Sequence, residues 1–178
     1  MKSIQKIQKW LKTRKKKTYF SVKRKNISEL NKWILNNRKI YHSSGKFFQI
    51  LGIRVKSNFF VNRTWDQPAI YQNEKGILGI IKLNKKGNSE YLLQAKAEPG
   101  NINKLQLSPT VQATKSNYNR AHRGRSVKYL NFFKNLKKNR VIVNSLQSEQ
   151  GGRYLYKYNK NIMVNVNSKI KAGPNYIW

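Results

Sequence analysis

The chain has 178 residues, enough for one compact domain with tails, since domains most often fall near ~100–150 residues. It contains no cysteine, which excludes disulfides, thiolate metal sites and a cysteine nucleophile. No apolar run approaches the ~20 residues a membrane span needs and the first residues lack the apolar core of a secretion signal, so a cytoplasmic protein without membrane contact is expected.

Lys plus Arg number 38 against 6 Asp plus Glu, a formal charge of +32 that taken alone points to nucleic acid or another polyanion. The excess is uneven. Residues 1–26 hold 11 basic residues and no acid, whereas residues 87–114 balance Lys96 and Lys104 against Glu90 and Glu98. Lys, Asn and Ile are abundant elsewhere, as surface drift in an AT-rich coding sequence produces. That explanation and a functional basic surface have equal weight.

In chain order, Ile4, Ile7 and Leu11 recur at helical spacing, which predicts a basic amphipathic helix running into Arg14 to Lys17. Residues 1–26 read as a solvated or loosely docked basic tail. Ser28 can cap a short helix carrying Leu30, Trp33 and Ile34. After Gly45, branched and aromatic runs at 47–55, 69–72, 76–83 and 89–97 read as strands, and the turn 84–88 with Gly87 joins the last two as an antiparallel hairpin. Ser126 before Val127, Leu130, Phe133 and Leu136 predicts a capped helix with one buried stripe. Residues 140–147, 153–158 and 162–166 read as three further strands, and no internal repeat is visible.

Three stretches carry chemistry. In QAKAEPGN (94–101) strand alternation puts Leu93, Ala95 and Ala97 on one face and Gln94, Lys96 and Glu98 on the other, with Pro99 and Gly100 ending the strand. A solubilising Lys and Glu pair on an exposed strand face has the same pattern. Residues 106–119 are crowded with neutral hydrogen-bonding groups: Gln106, Ser108, Thr110, Gln112, Thr114, Ser116, Asn117, Tyr118 and Asn119. Such groups orient a hydroxyl-rich ligand such as a sugar, although a polar loop has the same composition. In LQSEQGGRYLYKYNKN (146–161), Gln147 and Glu149 precede a double glycine, and Arg153, Leu155 and Lys157 then alternate with Tyr154, Tyr156 and Tyr158. An aromatic face with interleaved basic residues can stack bases or hold phosphate, or simply be core. There is no GxGxxG, phosphate-loop or Gly-x-Ser-x-Gly motif, and His42 and His122 are too far apart for a two-histidine metal motif.

Together WDQPAIYQNEKGILGII (65–81), YLLQAKAEPGNINKLQLSPTVQATKSNY (91–118) and LQSEQGGRYLYKYNKN (146–161), with SGKFFQILGIRV (44–55) upstream, resemble the NDP-hexose 2,3-dehydratase family from about Ile27 to the end. The resemblance implies an α+β, Nudix-like mixed sheet with flanking helices, residues 27–178 forming one repeat of a normally tandem-repeat enzyme. It also implies a partner, either a homodimer mate or a second repeat. No Nudix catalytic box is present, so pyrophosphate hydrolysis is not expected. The sequence departs from the family pattern at His122-Arg123-Gly124 and around Tyr158 and Lys160.

The implied activity removes water from a nucleotide-linked 4-keto-6-deoxyhexose, and its chemistry demands no redox cofactor or metal. A base must take the C3 hydrogen, for which Glu98 and Glu149 are the candidates. Lys96 and Tyr118 would polarise the C4 ketone or protonate the departing hydroxyl, and Arg120 and Arg153 would meet the diphosphate. Gln94, Asn101, Gln106, Ser108, Thr110, Gln112, Ser116, Asn117, His122 and Gln147 complete the expected substrate-binding set. Two rivals stand beside this reading: a degenerate repeat without chemistry, and a basic nucleic-acid-binding module. Because the family blocks occur once and the chain stops at Asn175-Tyr176-Ile177-Trp178, the terminal aromatics are expected to be left for a second repeat or dimer mate to cover.

Overall fold

The computed structural model describes residues 2–85, 87–118, 126–136 and 140–178. In chain order these form α1 (Lys2–Lys17), a 3-10 turn (Ile27–Glu29), β1 (Trp33–Leu35), β2 (Lys39–His42), β3 (Gln49–Ser57), β4 (Arg63–Tyr71), β5 (Gly76–Lys85) and β6 (Asn88–Ala97). They continue through β7 (Leu105–Ser108), β8 (Val111–Thr114), α2 (Lys115–Tyr118), α3 (Asn131–Lys134), β9 (Val141–Ser148), β10 (Tyr154–Leu155), β11 (Tyr158–Val166) and β12 (Tyr176–Ile177). Two sheets and few helices make this an α+β protein. The chain divides into two compact units, one of residues 1–23, 76–146 and 160–178, the other of residues 24–75 and 147–159.

The larger unit is built on the β5–β6 hairpin that the sequence predicts. Its register runs from Lys85↔Asn88 to Ile81↔Leu92, and Gly87 takes the left-handed φ of 80° that closes the turn. Beyond Ile81 and Leu92 the two strands part: β5 pairs with β8 (Gly76↔Thr114 to Gly79↔Val111), while β6 pairs with β7 (Gln94↔Ser108 to Ala97↔Leu105). The sheet order is β12-β6-β5-β11-β9. Alternation in β5 sends Ile77, Ile81 and Leu83 into a core completed by Leu92, Val111, Ala113, Leu130, Phe133, Ile162, Val164 and Val166. Burying each large aliphatic side chain stabilises the fold by about 1.5–3 kcal/mol.

The helix predicted from Ser126 is reduced to Asn131–Lys134, with Leu130 at its N-cap position and no side-chain cap. Tyr129 takes a φ of 64°, and its hydroxyl donates to Lys171 O and accepts from Gly173 N, both at 2.9 Å. That link fixes the chain ahead of the helix. The buried pair Leu130 and Phe133 is nevertheless as predicted, and the Phe133 ring lies where a Cβ on Gly79 would meet it at 2.5 Å.

Helix α1 forms where the spacing predicts one, but of the expected stripe Ile4 is 61% exposed, and half-buried Ile7, Trp10, Leu11 and Arg14 face inward at i, i+3, i+4 and i+7. It lies against β7, and the Arg14 guanidinium donates to Asn175 Oδ1. The C-terminus corrects the sequence expectation. Trp178 Nε1 donates to Ile170 O at 2.9 Å and its ring packs on the core, while Tyr176 and Ile177 pair with Gln94 and Leu93 of β6. Burial pushes the Tyr176 phenol up to about 12, with Tyr129 edge-on at 4.8 Å adding to the effect.

The smaller unit is a sheet ordered β1-β2-β3-β4-β10, antiparallel except where β10 runs parallel to β4. The expected helix over Ser28 to Ile34 is a 3-10 turn followed by strand, because Lys32 takes a φ of 65° and turns Trp33 into β1. There Trp33 packs on His42, Phe47 and Phe48 with ring centroids 5.6, 6.2 and 5.0 Å away. Strand β4 begins at Arg63, earlier than its apolar run, and accommodates Pro68 where β10, confined to Ile70 and Tyr71, does not pair. The strand expected over 153–158 is only Tyr154–Leu155. The Arg153 and Tyr154 amides both donate to Gln150 O, and Tyr156 takes a φ of 52° and is 86% exposed, so the tyrosines do not form one strand face.

Candidate functional site

At the end of β6, in the larger unit, Lys96 Nζ lies 2.7 Å from Glu98 Oε1, and Gln112 Nε2 of β8 donates to the same oxygen at 3.4 Å. The two side chains are 27% and 37% exposed. An ion pair this accessible contributes only about 0–1 kcal/mol to stability. The local sequence builds it. Pro99 and Gly100 leave the strand, Asn101 N donates to Glu98 O at 3.0 Å, and Asn101 Nδ2 reaches Lys96 O at 3.1 Å and Lys104 O at 3.4 Å. Asn101 therefore holds the turn that presents Glu98.

Of the other expected contacts, Gln94 is half-buried between the backbones of Ser108 and Tyr176. The Ser108 hydroxyl donates to Pro109 O at 3.3 Å, and Ser116 Oγ lies 3.1 Å from Thr114 Oγ1. Gln106 and Asn117 are exposed. Thr110 is a correction: it is fully buried, its hydroxyl accepting from Ile81 N at 3.0 Å and donating to Leu92 O, so it ties the sheet with its one proton already donated and out of a ligand's reach. The side chain of Tyr118 and all of Arg120 and His122 lie outside the described residues.

A second cluster occupies the smaller unit. Asn159 Nδ2 donates to Glu149 Oε2, and Glu149 N donates to Lys157 O at 2.9 Å. Lys157 is 6% exposed and its ammonium donates to Glu74 O. Burial pulls its amine below the usual lysine range, and the charges of Glu74 and Glu149 push it partly back. Gln147 and Arg153 are exposed. The buried pair Lys157 and Asn159 is missed from sequence, where Lys157 reads as one more basic residue beside Arg153. The candidate residues thus form two groups, Lys96, Glu98, Asn101 and Gln112 in one unit and Glu149 with Lys157 and Asn159 in the other.

A family model described as NDP-hexose 2,3-dehydratase matches residues 4–178. The chain belongs to this family. The matched region starts upstream of Ile27, where the resemblance read from sequence begins, and takes in all but the first residues of α1. Curated members of the NDP-hexose 2,3-dehydratase family are similar over nearly the whole chain. The dTDP-4-dehydro-6-deoxy-alpha-D-glucopyranose 2,3-dehydratase of Saccharopolyspora spinosa is 41% identical over 171 residues, covering 95% of this chain and 35% of that protein. Proteins of the same description from Amycolatopsis orientalis and Streptomyces violaceoruber are 39% and 40% identical, each matched over 37% of its own length. The chain therefore spans about a third of the length of these relatives.

Proposed function

We propose that the chain is one repeat of a dehydratase that eliminates water from a nucleotide-linked 4-keto-6-deoxyhexose, with a Nudix-like fold and a second repeat or a second copy as its partner. The half-buried Lys96–Glu98 pair is the observation that carries this reading. Glu98 takes the C3 hydrogen, which the C4 ketone acidifies. Lys96 moves to the C4 oxygen as charge develops there, then helps protonate the departing C2 hydroxyl. The electrons of the C3–H bond first form the C3–C4 double bond of the enolate, whose collapse restores the ketone and forms the C2–C3 double bond as the C2–O bond breaks, and the resulting enol tautomerises to a 3,4-diketo sugar. A positioned acid or base typically contributes ~10²–10⁴-fold, and one good oxyanion donor ~2.7–4 kcal/mol. Gln94, Gln112 and Asn101 supply neutral contacts beside the pair. Glu149, whose carboxylate is held by Asn159, is the second candidate base.

The partner requirement is supported by edge strand β9, where Ile142, Val143 and Leu146 are 46%, 40% and 60% exposed. The activity is tested by incubating the chain, alone and with a second repeat supplied in trans, with dTDP-4-keto-6-deoxyglucose. Mass loss of one water, with a 3,4-diketo product, is expected. Intact substrate in both arms despite demonstrated nucleotide-sugar binding contradicts the proposal and favours a repeat that binds without chemistry.

A further inference from the structure

Where α1 ends against β7, Lys15, Lys16, Thr18, Asn103, Lys104 and Leu105 line a groove of about 320 Å³. Lys15, Lys16 and Lys104 are three of its lining residues, no carboxylate lines it, and none of the three lysines enters an ion pair among the described residues. The C-terminal end of α1 contributes about half a negative charge, which three whole positive charges outweigh. Lys104 has a φ of 62°, a backbone conformation ordinarily left to Gly or Asn, yet a lysine stands there and its side chain borders the groove. Thr18 and Asn103 add neutral polar groups, and buried Leu105 forms part of the wall.

We infer that this groove is a diphosphate-binding site. Phosphate oxygens accept from several ammonium groups at once, and a concave wall fixes two linked phosphates better than scattered surface lysines do. Its position suits the chemistry. Glu98 and Lys104 are the two ends of one turn, which Asn101 braces by donating to both Lys96 O and Lys104 O. An anion held at Lys104 therefore sits at one end of the turn whose other end carries the candidate base. Of the two sequence candidates for the diphosphate, Arg153 is exposed in the other unit and Arg120 lies outside the described residues. The nucleotide-sugar reading supplies the identity of the diphosphate's owner, whereas the anion site rests on the groove itself.

The test is amide-shift mapping of the 15N-labelled chain with inorganic pyrophosphate and with thymidine diphosphate. Both are expected to shift residues 15–18 and 103–105 saturably. The triple variant Lys15→Gln, Lys16→Gln, Lys104→Gln is expected to weaken both ligands at least about tenfold, and the control triple Lys6→Gln, Lys9→Gln, Lys12→Gln on the exposed side of α1 less than about twofold. Equal weakening by the two triples, or shifts confined elsewhere, overturns the inference. So does tighter binding of a DNA duplex that the control triple also abolishes, because the surface is then a general polyanion face. If pyrophosphate fills the groove while the substrate is never dehydrated, the anion site stands and the dehydratase reading fails. Dehydration that is indifferent to the first triple upholds the dehydratase reading and overturns the groove as its diphosphate site.

Discussion

The hydroxyl of Thr110 donates to the carbonyl of Leu92 inside the fork where β5 and β6 separate. The same oxygen accepts the Ile81 amide, so one side chain satisfies two backbone groups that the parting strands leave without partners. Thr110→Val keeps the shape and orphans both. A buried group left unpaired costs about 1–3 kcal/mol, so Thr110→Val, which orphans two, is expected to lower stability by about 2–6 kcal/mol in urea denaturation, with Thr110→Ser much milder. A valine variant as stable as wild type contradicts this role.

Gly79→Ala should be destabilising by about 1–3 kcal/mol, because the new methyl falls 2.5 Å from a Phe133 ring that is itself 2% exposed and has nowhere to move. The double variant Gly79→Ala, Phe133→Leu is expected to recover part of that loss. Thermal melts of wild type, Gly79→Ala, Phe133→Leu and the double variant test the pairing. Additive losses would place the strain elsewhere.

Lys157 gives a pH signature. Its amine is pulled down chiefly by burial, so between its folded value and the ordinary 10.5 the unfolded chain binds more protons than the native one. Stability contributed by this residue therefore rises with pH across that window: the penalty of a buried charge is complete below the folded value and fades toward 10.5. Lys157→Met removes the titration. Denaturation of both proteins from about pH 7 to 10 should show wild type gaining on the variant, and a constant difference would mean that Lys157 does not feel its burial.

Much of this was legible in the residues. Alternation in Ile77 to Leu83, the turn at Gly87 and the Leu130 and Phe133 pair each encode local structure in two or three side chains, and each is found as expected. The grouping of Lys96 with Glu98 follows from period-two geometry alone, but the arrival of Gln112 and the bracing by Asn101 depend on long-range pairing. Single backbone choices defeated the rest. Left-handed Lys32, Tyr129 and Tyr156 redirected Trp33, shortened a helix and split a tyrosine strand, and nothing in their side chains announces that conformation. Thr110 was misjudged for a different reason. In a run of polar residues its hydroxyl looks available to a ligand, and only the forked pairing of β5 and β6 turns it into a buried tie.

In the proposed mechanism Glu98 removes the C3 hydrogen of a nucleotide-linked 4-keto sugar while Lys96 stands beside it, and every later step depends on that one. Exchange of the hydrogen with deuterium from solvent, followed by proton NMR on dTDP-4-keto-6-deoxyglucose, reads the step directly and does not require the later loss of water. Glutamine keeps the shape of the Glu98 side chain and can still meet Gln112, but it cannot accept the proton. In a preparation where the wild-type chain exchanges C3–H, Glu98→Gln is predicted to slow exchange by about 10²-fold or more with nucleotide affinity retained. Exchange at the wild-type rate in that variant would contradict the account.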